Sequence, residues 1–524
     1  MAKLNRNRIQ RSCLAGLGLL TATLAFGVNP RVETLSGMVE GVSLEGVDAF
    51  KGIPFAAPPV GELRWKAPQP VEKWDTVRAA HEYGPSPMQY DVYGDIEFGP
   101  AGVSEDCLYL NVWVPSEKKA ADLPVLIYFN GGGLICGNGA EPRYAGESLA
   151  RKGIIVVTAN YREGIFGFYS HPQLSSETTY GGSGNYGLLD MVAAIEWVKN
   201  NIAQFGGDPD RITIAGESAG SISVSALTMS PLSRGLIAGA IGSSGSTLFS
   251  GGILDLATAE KEGEEKMRQM GCESLDQMRA MDADELLEKS QSFGLMPFVV
   301  DGYFMPEQPL EIMKAGAQAD VPMLIGWNSL EAGPSFLLRT EEPTLEHLRK
   351  VLGDTFGDET DEVLRLYGIT TDADVTGPGA TQLASDLFIG YITWKWTDLQ
   401  GNTAKSSVYR YRYTHPRPWK KGDEHRRVAE GAVHAADIEY AMGNLDTNTV
   451  YDWQPDDYKV SEIFQDIYLN FVKTGNPNPS DAQSWTPING KEVPPVMQIS
   501  RQPEVTSDSL LQTRYKFIDK AMKK

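Results

Sequence analysis

The chain has 524 residues, a formal net charge of −21, 42% hydrophobic and 22% charged residues, and four cysteines. That balance excludes a disordered, collagenous or coiled-coil protein, and four cysteines with no CxxC or HxxxH spacing exclude a disulfide scaffold or a zinc module. The excess of acids argues against nucleic acid or anionic lipid as a partner, because phosphate recognition needs cationic side chains.

In chain order, Lys3, Arg6, Arg8 and Arg11 precede an uncharged stretch from Cys13 to Val28, with small residues at Ala25 and Gly27. The stretch is short for a span of ~20 residues, and the order of charge, apolar run and small residues fits a secretory signal peptide over residues 1–27. Export, secreted or periplasmic, is the expectation, with no stable membrane insertion after cleavage; an uncleaved N-terminal membrane anchor is the alternative. Residues 28–524 then form a single domain that carries Cys107, Cys136 and Cys272, an odd number that allows at most one intrachain pair.

No fixed-period repeat or low-complexity linker divides the chain. Leu123 to Phe129 (LPVLIYF) and Gly153 to Asn160 (GIIVVTAN) are continuous apolar runs, as expected of strands buried on both faces. Leu188 to Phe205 follows a helical period, with Met191, Ala194, Ile195, Val198 and Ile202 on one face. Arg211 to Ala215 (RITIA) reads as strand and the chain from Ser223 as helix, with further strands at Val321 to Gly326 and Val408 to Tyr413. Thr258 to Lys289 and Thr344 to Tyr367 are charged and helix-prone, and read as insertions. The alternation predicts an α/β fold with a large, mostly parallel central sheet covered by helices on both faces.

Chemistry concentrates at Gly216-Glu217-Ser218-Ala219-Gly220, the one GxSxG in the chain, directly after RITIA and ahead of a helix-compatible run. A strand-to-helix turn this tight exposes its serine in a strained conformation, and flanking glycines let strand and helix approach. The helix behind Ser218 favours negative charge at its N-terminus. A serine hydroxyl needs a base, and the oxyanion formed on attack needs fixed donors. Asn130-Gly131-Gly132-Gly133-Leu134, after the strand LPVLIYF, offers the N–H groups of Gly132 and Gly133; Ala219 N–H completes the expected oxyanion hole. Among six histidines, the chain order serine, acid, histidine leaves His347, His415, His425 and His434. His434, among small residues in GAVHAA, is the favoured base. Glu331, just after the strand VPMLIG, is the favoured acid, with Asp301 and Asp437 as rivals.

These residues resemble the type-B carboxylesterases, the cholinesterase-like branch of the α/β hydrolases. The likeness runs from about Val32 onward through GIPFAAPPVGELRW, EDCLYLNVWVP, NYREGIFGF, FGGDPDRITIAGESAG, NSLEAG, GAVHAADIEY and FVKTGNPNP. It implies an α/β-hydrolase fold and hydrolysis of small-molecule carboxylic esters through Ser218, His434 and Glu331, with Gly132, Gly133 and Ala219 as oxyanion donors and no metal or cofactor. Lipase, amidase and non-catalytic binding protein are the alternatives on the same fold. Glu217 is a candidate electrostatic partner of the nucleophile, and Ser244 a candidate support for Glu331. The family's usual HGGGF is NGGGL here, which alters the wall of the acyl site. Pro87 stands where the family often has the cysteine that pairs with the one at Cys107, so Cys107 is expected to be unpaired. Residues 88–106 hold Tyr90, Tyr93 and Phe98 but lack the tryptophan that cholinesterases use for choline, which disfavours a choline esterase.

Overall fold

The computed structural model describes residues 29–522 except 98, 117–120, 296–297, 340, 424–428, 480–484 and 508. The expected signal segment and His425 lie outside the described residues. Among the described residues no helix is long and apolar enough to cross a membrane.

The core is an eleven-stranded mixed sheet. In chain order its strands are β1 (Val42–Leu44), β2 (Val47–Pro54), β3 (Tyr109–Pro115), β4 (Leu123–Phe129), β5 (Ile155–Ala159), β6 (Gly207–Glu217), β7 (Gly239–Ser243), β8 (Met323–Asn328), β9 (Val408–Tyr413), β10 (Val496–Ile499) and β11 (Glu504–Thr506). In space they run β1-β2-β3-β5-β4-β6-β7-β8-β9-β10-β11. From β5 to β10 every pairing is parallel, while β1 to β3, the β3–β5 junction and the β10–β11 edge are antiparallel.

The apolar runs are continuous because both faces are covered. On β4, Val125, Ile127 and Phe129 pack with the helices α1 (Tyr186–Asn201) and α2 (Ala219–Met229). Leu126 and Tyr128 alternate to the opposite face, against α4 (Pro455–Thr474), which follows α3 (Tyr391–Thr403) in the chain. The two charged stretches are helical, as expected: the first forms Leu256–Gln269, Leu275–Ala280 and Ala283–Ser290, and the second forms Leu345–Phe356 and Thr360–Leu366.

Several boundaries differ from the sequence expectation. The strand expected at 211–215 extends from Gly207 to Glu217, and the helix expected from Ser223 begins at Ala219. Only Ser218 therefore separates strand from helix. The strand expected from Val321 to Gly326 starts later, at Met323, and continues to Asn328, which carries it to the edge where the site lies. Helix α1 begins at Tyr186 and closes with a 3-10 turn, Ile202–Phe205, stopped by left-handed Gly206. Cys107, Cys136 and Cys272 are all buried and free.

One buried ion pair fixes the loop after β5 to helix α1. Arg162 donates to Asp190 from Nε at 2.8 Å, from Nη2 at 2.7 Å and from its backbone N–H at 3.0 Å. Such a pair adds little over an apolar pair of equal shape, but half of it alone is costly. Asp190→Ala is expected to lower stability by about 3–5 kcal/mol, measured by urea denaturation; an unchanged midpoint would contradict this role.

Candidate active site

The C-terminal ends of β4, β6, β7 and β8 meet at one edge, where open parallel sheets place their ligands. Ser218 holds φ 55° and ψ −123° at the N-terminus of α2, a conformation that is strained for a residue with a side chain. The surroundings enforce it: Ser218 N–H donates to the Ser243 carbonyl at 2.9 Å, and Ile222 N–H to the Ser218 carbonyl at 2.9 Å. The two motif glycines leave no room for anything larger. A Cβ on Gly220 would lie 2.2 Å from the Phe129 carbonyl oxygen, and one on Gly216 would lie 2.4 Å from the backbone of Gly220.

Residues far apart in sequence converge on the Ser218 hydroxyl. His434 Nε2 lies 2.9 Å from Ser218 Oγ, and His434 Nδ1 lies 2.7 Å from Glu331 Oε2. The other Glu331 oxygen, Oε1, accepts from Ser244 Oγ at 2.5 Å and from Asn328 N–H at 2.6 Å. These donors compensate a carboxylate almost wholly removed from water. The loops carrying acid and base are stitched together: Leu330 N–H donates to Ala432 carbonyl at 2.9 Å, and Asn328 Nδ2 to Val433 carbonyl at 2.8 Å. The rival acids are engaged elsewhere. Asp437 accepts from Asn328 Nδ2, and Asp301 accepts from the N–H groups of Tyr303 and Met305. His415 is paired with Asp457.

The glycine loop after β4 runs beside the serine, close enough that a Cβ on Gly131 would lie 3.2 Å from Ser218 Cβ. Gly132 and Gly133 have φ of +106° and +66°, which only glycine adopts freely. Gly132, Gly133 and Ala219 line the same cavity as Ser218 and His434. The sequence-predicted positions are thus brought together, including the two lesser ones: Ser244 bonds Glu331, and Glu217 Oε1 sits 3.4 Å from His434 Nε2.

The cavity measures about 580 Å³. Tyr93, Asp95 and Arg143 form a polar side, with Arg143 paired to Asp95 at 3.1 Å and to Glu141 at 2.8 Å. Phe249, Ile253, Leu295 and Phe298 form an apolar side. Phe388 packs edge-on against the His434 ring, 5.1 Å between centroids. It stands on a π-helical turn, Asp386–Gly390, whose buried Asp386 accepts from Tyr367 and Tyr515 hydroxyls, each at 2.7 Å. Sequence reasoning missed Phe249, Phe388 and Arg143 as lining residues, and no local pattern marks them.

The electrostatics are those of several acids around one imidazole. Burial pushes the Glu217 carboxyl up to about 8, partly countered by His434. Burial also disfavours the charged form of His434, but Glu217 and Glu331 outweigh it and lift the imidazole to about 9. The two shifts are linked, since Glu217 lifts His434 only when ionised; the direction for His434 is upward, held by Glu331 in either state.

A serine presented on a strand–turn–helix at the C-terminal edge of this sheet defines the class of the α/β hydrolases. The chain belongs to the carboxylesterase family, whose model matches residues 28–518. It is 36% identical over 480 residues to a fumonisin B1 esterase of Sphingopyxis macrogoltabida, covering 86% of this chain and 83% of that one. It is 34% identical over 473 residues to a para-nitrobenzyl esterase of Bacillus subtilis, covering 87% and 91%. Among solved structures, a PNB esterase superposes with a TM-score of 0.80 at 29% identity, covering 94% of this chain and 99% of that one. A Geobacillus stearothermophilus carboxylesterase superposes with a TM-score of 0.79 at 31% identity, covering 93% and 99%. The protein is a carboxylic ester hydrolase.

A base must be neutral to accept a proton, so activity falls in acid as His434 protonates. Removing a neighbouring carboxylate weakens the hold on the imidazolium. Glu217→Gln is therefore expected to move the acid limb of the pH–kcat/KM profile to lower pH; an unmoved limb, or one moved upward, contradicts the coupling.

Proposed function

We propose that the protein hydrolyses carboxylic esters by a serine mechanism with an acyl-enzyme intermediate, Ser218 acting as nucleophile, His434 as base and then acid, and Glu331 as the group that orients His434. The observation that carries this reading is the single imidazole bridging Ser218 Oγ and Glu331, at 2.9 and 2.7 Å. With Nδ1–H donating to Glu331, Nε2 is left to accept the Ser218 proton as Oγ bonds to the ester carbonyl carbon. The carbonyl oxygen becomes an anion facing the N–H groups of Gly132, Gly133 and Ala219. Collapse breaks the ester C–O bond, and the alkoxide leaves with the proton from His434. Water then attacks the acyl-enzyme, giving a proton to His434; collapse breaks the bond from the acyl carbon to Ser218 Oγ, the acid departs, and Oγ takes that proton from His434.

The two-sided cavity favours an ester with an apolar acyl or alcohol group toward Phe249 and Phe298 and a hydrogen-bonding portion toward Tyr93 and Arg143. Such a cleft supports activity on dissolved esters rather than only at a lipid interface. Similarity to a fumonisin B1 esterase and to a para-nitrobenzyl esterase supports ester substrates. The basic and apolar N-terminus supports export with removal of residues 1–27; N-terminal sequencing of protein recovered outside the cytoplasm tests it.

The purified protein is expected to hydrolyse a chromogenic ester series below the concentration at which the esters aggregate, with no jump in rate above it. Ser218→Ala should lower kcat on the order of 10⁶-fold, as for other triads. A folded Ser218→Ala variant that keeps parental turnover would overturn the mechanism.

A further inference from the structure

The four residues after Asn160 each hold a different part of the site's framework. Tyr161 Oη donates to the carbonyl of Asn130, at the start of the glycine loop, at 3.0 Å. Arg162 is anchored on Asp190 of α1. Gly164 N–H donates to the carbonyl of Leu134, at the loop's end, at 2.6 Å. Leu134 itself has φ +61°, so the last bond holds a strained residue in place. Between them Glu163, 1% exposed, accepts from Asn130 Nδ2 at 3.3 Å; the same amide donates to the Gly131 carbonyl at 2.9 Å. A chain of bonds thus runs from Glu163 through Asn130 to the peptide that precedes Gly132.

We propose that Glu163 is a positioning residue for the oxyanion loop, acting through Asn130 to fix the direction in which Gly132 and Gly133 present their N–H groups. The proposal rests on the reading of those glycines as oxyanion donors. Asn130 is also where the loop departs from the family's usual HGGGF, so the buried carboxyl and the altered loop residue meet each other. Burial drives the Glu163 carboxyl well above the usual range, Tyr161 and Asn130 pull it back in part, and nearby Glu141 adds to the rise. A shift in that direction lessens the opposition between this carboxyl and the negative charge that develops at the loop's tip.

A residue that acts only on oxyanion stabilisation affects kcat and leaves substrate binding alone. Glu163→Leu is expected to lower kcat about 10–100-fold with KM within about twofold, and to weaken a trifluoromethyl ketone, which forms the tetrahedral adduct, by the same factor. Glu163→Gln, neutral and of the same shape, is expected to keep kcat within about threefold. Asn130→Ala removes the same contact from the loop side and should give the kcat loss of Glu163→Leu; the double variant should lose no more than either alone. Parental kcat in Glu163→Leu or in Asn130→Ala, additive losses in the double variant, or a loss carried by KM would overturn the proposal. Fluorophosphonate labelling separates it from the reading beneath it. Ester turnover by the parent without labelling of Ser218 would overturn the serine mechanism itself. A labelled parent beside a Glu163→Leu variant of full kcat would overturn the brace alone.

Discussion

The site depends on one strained residue. Ser218 occupies positive φ between a strand that ends at Glu217 and a helix that begins at Ala219, and nothing in its own chemistry favours that conformation. It persists because the parallel sheet holds it: β6 lies between β4 and β7, and the Ser243 carbonyl at the end of β7 accepts from its N–H. Gly216 and Gly220 allow the helix to start against the strand with no intervening loop. Everything else at the sheet edge is arranged around the hydroxyl that this turn presents.

The same edge collects charge that would be unstable elsewhere. Glu217, Glu331 and Asp437 are all buried around one histidine, and each has a different outlet. Glu331 receives donors from Ser244, Asn328 and His434. Asp437, raised to about 6 chiefly by burial, receives Asn328. Glu217 faces the imidazole at 3.4 Å, and burial pushes its carboxyl up to about 8. The cluster therefore gives carboxyl groups of one chemical type different settings: Glu331 is bonded to the imidazole it orients, while burial pushes the Glu217 carboxyl upward and His434 counters it in part. The aromatic wall at Phe388 completes the setting by covering one edge of the imidazole.

Much of this was legible where the determinants are local. The strand–turn–helix at Ser218 announces itself through glycine spacing and a preceding β-branched run. The loop at Glu331 follows a strand and the loop at His434 carries small neighbours, although only packing shows that Asp437 turns to Asn328. The family motifs added agreement across nearly the whole chain. The antiparallel strands β2 and β3 were not read as strands, in part because β3 carries Asn111 in mid-run. That side chain is buried and satisfied, accepting from Gly52 N–H at 2.9 Å and donating to Thr158 at 3.0 Å, contacts that no local pattern reveals. Phe388 was missed for a similar reason: a π-turn set by Asp386, Tyr367 and Tyr515 decides where it points, and those residues meet only in the fold.

The central claim is that an acyl group passes through the Ser218 oxygen. Rapid mixing of the protein with excess para-nitrophenyl acetate, followed by acid quench and peptide mass mapping, tests it most directly. The account predicts a burst of nitrophenol that does not exceed the enzyme concentration, with a 42 Da acetyl increment on the peptide containing Ser218. Steady turnover with no acetylated Ser218 peptide, when the quench comes faster than turnover and deacylation is slowed at low pH, would contradict it.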